Sequence, residues 1–221
     1  MAKPSSQSHP PIVATAVAPW TTDWKFDAET FRRQVRTIAR DLTQSVYIFG
    51  TAGEGYAVSD AQFREIASCF WSVTQEENAA PMLGVITLSF ATIIERIEWA
   101  RGLGYREFQI SLPSWGALND RELDLFFAGT CGRFPDCRFM HYNLARCGRV
   151  LIAADYRRLA EAPELGGCFV YRTPDRVLAA ISQLQTWPGA WLVYQLGRAE
   201  DRPLHMVGVD VLGDLYVHAY E

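Results

Sequence analysis

Two hydrophobic periods alternate along the chain: short runs rich in β-branched and aromatic residues, and longer stretches in which apolar residues recur every three or four positions. The first predicts strands and the second amphipathic helices, so their regular succession predicts repeated βα units around a parallel sheet. Five such units are readable. Residues 12–18 predict the first strand, and Phe31, Val35 and Ile38 mark a helix over about residues 28–42. Residues 46–49 predict the second strand, followed by a helix carrying Phe63, Ile66, Phe70 and Trp71. Residues 82–86, entered from Pro81, predict the third, with a helix through Ile93, Ile97 and Ala100 that Gly102 and Gly104 end. Residues 108–112 predict the fourth, before a helix capped by Asn119 or Asp120 and containing Leu123, Phe126 and Phe127. Residues 138–142 predict the fifth strand and residues 154–161 its helix.

Beyond Gly166 the pattern changes. Residues 173–187 predict a helix capped by Thr173, with Pro174 at its first position and Val177, Leu178, Ile181 and Leu184 on one face. Residues 191–196 predict a further strand, and residues 204–209 and 215–220 alternate in type around Val211, Leu212, Gly213 and Asp214, which predicts a β-hairpin. A hairpin is antiparallel, whereas βα units give parallel strands. The roughly 55 residues after Gly166 cannot hold three more such units at about 30 residues per crossover. The expected organisation is a polar tail over residues 1–10, a (β/α) portion over 11–166 and a divergent α+β segment over 167–221 that completes or caps it.

Composition narrows the function. With 221 residues, 49% of them hydrophobic, the chain can bury a substantial core. A net charge of −4 with scattered Lys and Arg gives no electrostatic footprint for nucleic acid. No apolar stretch reaches the roughly 18 residues that span a bilayer, and residues 1–11 carry no apolar signal core, so neither a membrane nor export is expected and the localisation expected is cytoplasmic. Cys69, Cys131, Cys137, Cys147 and Cys168 form no C-x-x-C pair, which argues against a disulfide framework or a zinc site. Cys147 beside Arg146 has the setting of a lowered-pKa thiol, but His141 should point away from Tyr142 on its strand, so no Cys-His pair is expected. His205 and His218, on opposite strands of the hairpin, read as cross-strand surface neighbours, and no metal or other cofactor is implied. Trp20 and Trp24, flanking Thr21 to Asp23, line or cover whatever the first strand leads to.

The most informative stretch is G-T-A-G-E-G from Gly50 to Gly55, directly after the second strand. Glycines permit positive φ and a close approach of backbone N–H groups to a ligand, and the Thr51 hydroxyl can donate to an anion. Ser59 and Gln62 form a capping box that starts the next helix and so fixes where this loop points. A plain βα connection would also carry glycines, and spacing alone does not separate it from an anion site.

In order along the chain, these residues resemble the dihydrodipicolinate synthase and N-acetylneuraminate lyase family, whose members are (β/α)8 barrels. Gly50, Thr51, Gly53 and Glu54 look like the family's G-T-T-G-E turn, which binds the carboxylate of pyruvate or another 2-oxo acid, with Ala52 in place of the second threonine. Tyr142 and Asn143 look like the Y-N pair whose tyrosine moves protons during imine formation. Leu112, Pro113, Ser114 and Trp115 stand where the family often has P-Y-Y, so Trp115 replaces the tyrosine that bridges active sites between subunits. Arg146 lies one residue before an arginine that some members use for a substrate carboxylate. Thr51, Ser114 and Tyr142 all follow strand ends, where barrel enzymes carry their chemistry.

The family's imine-forming lysine has no counterpart. The chain contains only Lys3 and Lys25, and the stretch Cys168-Phe169-Val170 occupies the place of the family's G-x-K on the sixth strand. An arginine cannot substitute, because its guanidinium stays protonated. The expectation is therefore an α/β protein of TIM-barrel type, incomplete or atypically closed, assembled as a homo-oligomer that covers its open edges. Its expected role is a lyase or aldolase acting on a small 2-oxo acid and impaired by the missing lysine. A non-catalytic 2-oxo acid binder and a truncated or fused barrel fragment are the alternatives.

Overall fold

The computed structural model describes residues 13–51 and 53–161, together with the strand segments 180–181, 190–192, 195–196, 205–210 and 215–219. Its centre is a five-stranded sheet in the order β1-β2-β3-β4-β5, every neighbouring pair parallel. The strands are β1 Ala14–Thr15, β2 Ser45–Ile48, β3 Ala80–Gly84, β4 Glu107–Ile110 and β5 Arg138–His141. The helices α1 Ala28–Asp41, α2 Asp60–Glu76, α3 Phe90–Leu103, α4 Asp120–Phe127 and α5 Ala153–Glu161 follow them in turn. All five predicted βα units are present. Each strand ends one to three residues before its apolar run does, because the ladder stops where the chain turns out into the loop that follows it.

Caps set the helix starts. Asp27 accepts from the Thr30 amide at 3.0 Å, and Ser59 and Gln62 complete the expected capping box on α2 at 2.9 and 3.2 Å. Asn119, rather than Asp120, caps α4 and forms a second box with Glu122. Gly104 ends α3 with φ 126, whereas Gly102 lies inside its last turn. A π-helical turn, Ala128–Gly132, extends α4, with the Thr130 hydroxyl donating to the Phe126 carbonyl at 2.7 Å.

The register sorts side chains between two faces. Ile48, Leu83, Phe108 and Phe139 stand side by side across β2 to β5. Phe108 and Phe139 stack at 5.8 Å, and Tyr105 beside Phe108 donates its hydroxyl to the Ala67 carbonyl of α2 at 2.8 Å, so this is the face under the helices. Strand alternation puts Tyr47, Met82, Gln109 and Met140 on the other face. There the Tyr47 hydroxyl reaches across β3 to Gln109 Oε1 at 3.4 Å. Phe31, Phe63, Phe70, Tyr105, Phe108 and Phe127 are all essentially inaccessible, and burying each such ring contributes about 2–3 kcal/mol before entropy is counted.

In the C-terminal part, β6 Ala180–Ile181 pairs antiparallel with β8 Gln195–Leu196, and β7 Ala190–Leu192 pairs antiparallel with β9 His205–Asp210. A helix over 173–187 was the sequence expectation, but Ala180 and Ile181 are in a strand. At those residues the ladder to Gln195 and Leu196 overrides the helical spacing of Ile181. The rest of that stretch, like Phe169, lies outside the described residues. Strand β9 also pairs antiparallel with β10 Leu215–Ala219, and the register sets His205 against Ala219 and His218 against Met206. The two histidines are therefore not the cross-strand neighbours expected from the sequence, because the pairing is one residue out of that alignment.

Candidate functional site

The loop that follows β2 is shaped by Phe49 more than by its glycines. Phe49 has φ 70 and Glu54 φ 51, while Gly50 and Gly55 are not among the residues of positive φ. The expectation that the glycines supply the left-handed backbone is thus corrected: their role is close approach. A Cβ on Gly55 would lie 2.6 Å from both the Phe49 Cβ and its carbonyl oxygen, and one on Gly84 of β3 would lie 2.3 Å from that oxygen. Gly53 meets the Phe49 amide nitrogen in the same way, at 2.9 Å. The Glu54 and Gly55 amides donate back to the Thr51 and Gly50 carbonyls at 3.3 and 3.4 Å, so both are committed to the turn. Gly50 and Gly53 are buried, Thr51 is half-buried and Glu54 is exposed; Ala52 lies outside the described residues.

Tyr142 comes directly after β5 and is 2% exposed, with its amide donating to the Ile110 carbonyl at 2.7 Å. Ladder extension sets it beside Ser111, also buried, on the face of Gln109. Asn143 is bonded to the backbone through its side chain: its Nδ2 donates to the Leu151 carbonyl at 2.8 Å and its Oδ1 accepts from the Leu151 amide at 2.9 Å, bracing the loop over residues 144–151. Arg146 sits exposed on a 3-10 turn, Ala145–Cys147, and Trp115 is 90% exposed. Ser114 is exposed as well. Trp20 packs partly against the core and bridges antiparallel to Phe26, while Trp24 is exposed at the tip of that loop with φ 61.

Cys147 is buried and donates to the Leu112 carbonyl at 2.9 Å. Burial pushes its thiol above the ordinary value, outweighing Arg146 and a hydrogen bond with Ser111, so the activated thiol suggested by the Arg-Cys sequence is not formed. His141 faces the opposite way from Tyr142, as expected. Its Nδ1 shares a hydrogen bond with the Tyr156 hydroxyl at 2.9 Å and its ring meets Phe127 edge-on at 5.3 Å. Burial lowers the His141 pKa to about 3 and raises that of Tyr156.

Lys25, in the loop between β1 and α1, is exposed and ion-paired with Asp23 at 2.6 Å. That contact, with a hydrogen bond from Thr21, holds the Asp23 carboxyl below its usual value. Among the described residues, no group of three or more His, Cys, Asp or Glu side chains is arranged to hold a metal ion. Nor is any helix among them long and apolar enough to cross a membrane.

Sequence reasoning passed over Arg96 and Arg149. Arg96 lies in α3 on the stripe of Ile93, Ile97 and Ala100 and is 6% exposed. A charged residue inside an apolar stripe was the available signal. Burial pulls its guanidinium below the ordinary value, with Asp60 at 3.3 Å acting the other way. Arg149 ties the loop after β4 to the start of α5, donating to the Leu118 carbonyl, Asp120 and Asp155 at 3.0, 2.7 and 2.8 Å.

No family model matches the chain. Over 202 residues it is 26% identical to the 4-hydroxy-tetrahydrodipicolinate synthase of Moorella thermoacetica, a match that covers 89% of this chain and 66% of that protein. Among solved structures it is similar to the synthase of Cyanidioschyzon merolae determined with lysine bound, at a TM-score of 0.64 and 22% identity over 70% of this chain and 53% of that one. It is equally similar to YagE of E. coli K12 in complex with pyruvate, at a TM-score of 0.64 and 17% identity over 68% and 50%. The chain thus spans about two-thirds of the curated relative and about half of each structure. The βα order, the G-T-A-G-E turn after β2 and the Tyr-Asn pair after β5 agree with that likeness, so in sequence and in fold the chain is similar to proteins of the dihydrodipicolinate synthase and N-acetylneuraminate lyase family.

Proposed function

We propose that this chain binds a short 2-oxo acid of the pyruvate kind at the carboxyl ends of β2, β4 and β5, and that its lyase or aldolase chemistry is impaired. The observation that carries the reading is the half-buried Thr51 on a turn packed closely around Phe49, with the buried Tyr142 after β5, three strands further along the same sheet. In this reading the Thr51 hydroxyl donates to the substrate carboxylate, Tyr142 carries the proton, Gly50, Ala52, Gly53 and Glu54 shape the turn, and Asn143 keeps the loop of Arg146 in place. Trp115 stands at the rim, where its exposure suits contact with a second copy of the chain.

Impairment follows from chemistry. A 2-oxo acid becomes acidic at the carbon next to its carbonyl when an amine converts the carbonyl to an imine, which then accepts the electron pair. The lysines of this chain are Lys3 and Lys25, and Lys25 is an exposed ammonium already paired with Asp23. Its Nζ is held by that carboxylate at the surface of the loop between β1 and α1. Non-covalent binding is therefore the better-supported half of the proposal.

Titration of the purified protein with pyruvate, with and without sodium borohydride, tests it. Reversible stabilisation by pyruvate with an unchanged intact mass is expected, and Thr51→Val should weaken binding about tenfold, the worth of one hydrogen bond to a charged group. A pyruvate-sized mass gain after reduction would show an imine and overturn the impairment. No binding by the wild type would overturn the site.

A further inference from the structure

The turn after β2 is held from outside by one side chain. Arg96 Nη1 donates to the Gly55 carbonyl at 2.9 Å and to the Ile86 carbonyl at 3.4 Å; Nη2 donates to the Val58 carbonyl at 3.3 Å and to Asp60 Oδ1 at 3.3 Å. One planar group thus joins the end of the G-T-A-G-E-G loop, the approach to α2 and the loop after β3. The guanidinium also lies over the Phe63 ring, 4.4 Å from its centroid, and Phe63 stacks at 5.1 Å on Phe49. Phe49 is the residue with φ 70, a backbone state that strains a bulky side chain and persists only where the surroundings over-determine it.

A buried arginine is a poor choice for packing alone. Taking a guanidinium out of water is expensive, and an apolar residue of similar volume would seal α3 against α2 at least as well. What an apolar residue cannot do is satisfy the carbonyls of Gly55 and Val58, which would otherwise be free to turn and carry the loop with them. Arginine alone among the side chains offers a flat fork that reaches several carbonyls while stacking on an aromatic ring.

We propose that Arg96 is a positioning residue for the 2-oxo acid turn: through the Gly55 and Val58 carbonyls and the Phe63–Phe49 stack it holds Thr51 in place at the carboxyl end of β2. This rests on the proposed function for the ligand, but not for the mechanical role. Arg96→Met, Arg96→Lys and Thr51→Val in the full chain, compared by pyruvate calorimetry and by amide hydrogen exchange, form the test.

Arg96→Met is expected to weaken pyruvate binding on the order of tenfold and to speed exchange selectively over residues 50–58, with β4 and β5 as protected as in the wild type. Arg96→Lys should recover part of both effects, since an ammonium can meet one carbonyl but neither fork nor stack. Thr51→Val should lose affinity with no change in exchange. Unchanged exchange over 50–58 in Arg96→Met, or an equal loss of protection throughout the sheet, would overturn the assignment. If Arg96→Met does not fold, the exchange pattern of Arg96→Lys decides in the same way. Should the wild type bind no pyruvate, the ligand reading falls while the exchange comparison still decides whether Arg96 holds the turn.

Discussion

His141 illustrates how one position's burial becomes a property of the protein. Its imidazole is enclosed between Phe127 and Tyr156, and burial holds its pKa near 3 against an ordinary 6.5. Because the folded value lies below the unfolded one, the folded state is at no disadvantage above pH 6.5. As the pH falls below that, the unfolded chain takes up a proton that the folded one refuses. Between pH 6.5 and 5 this removes about 2 kcal/mol of stability. Urea unfolding at pH 7 and pH 5 should show that loss in the wild type and a clearly smaller one in His141→Gln; equal losses in both would mean that the imidazole is protonated in the folded protein. The alternation of side chains along a strand was enough to foresee that His141 and Tyr142 part ways. That Cys147 would be a damped thiol rather than an activated one was not, because the desolvation that raises it comes from chain segments far from Arg146.

The join between β2, β3 and α2 shows the same physics in secondary structure. β2 ends one residue before its apolar run does, because Phe49 leaves the ladder in a left-handed conformation. The space it needs comes from a strand that is its neighbour only in three dimensions. A Cβ at Gly84 would stand 2.3 Å from the Phe49 carbonyl oxygen, so Gly84→Ala should destabilise the protein by about 1–3 kcal/mol and disturb the turn that carries Thr51. Gly102, near the end of α3, has nothing within 4 Å of such an atom and lies in helical backbone. There the same substitution should stabilise by about 0.5–1 kcal/mol. Chemical denaturation of the pair checks both; two substitutions of the same sign would contradict the packing described for Phe49.

For the protein taken entire, the main question is what covers the edges of the parallel sheet. Within the described five-stranded sheet β1 pairs only with β2 and β5 only with β4. Trp115 at 90% and Leu88 at 58% exposure stand on the loops after β4 and β3. Edges and apolar rims of this kind favour association. Light scattering at micromolar concentration should give at least twice the 24.9 kDa of one chain, with Trp115→Lys shifting the balance toward monomer. A wild-type monomer would remove Trp115 from the list of contact residues. Hydrophobic period, caps and strand-end chemistry carried the five βα units, the capping box of Ser59 and Gln62 and the G-T-A-G-E turn directly from the sequence, because each is set by residues within one turn of helix or one pleat of strand. The left-handed Phe49, the glycines that make room for it, Arg96 reaching from α3 and the protected His141 emerged only when distant segments packed. Sterics, desolvation and carbonyl satisfaction at those places depend on neighbours that are tens of residues away along the chain.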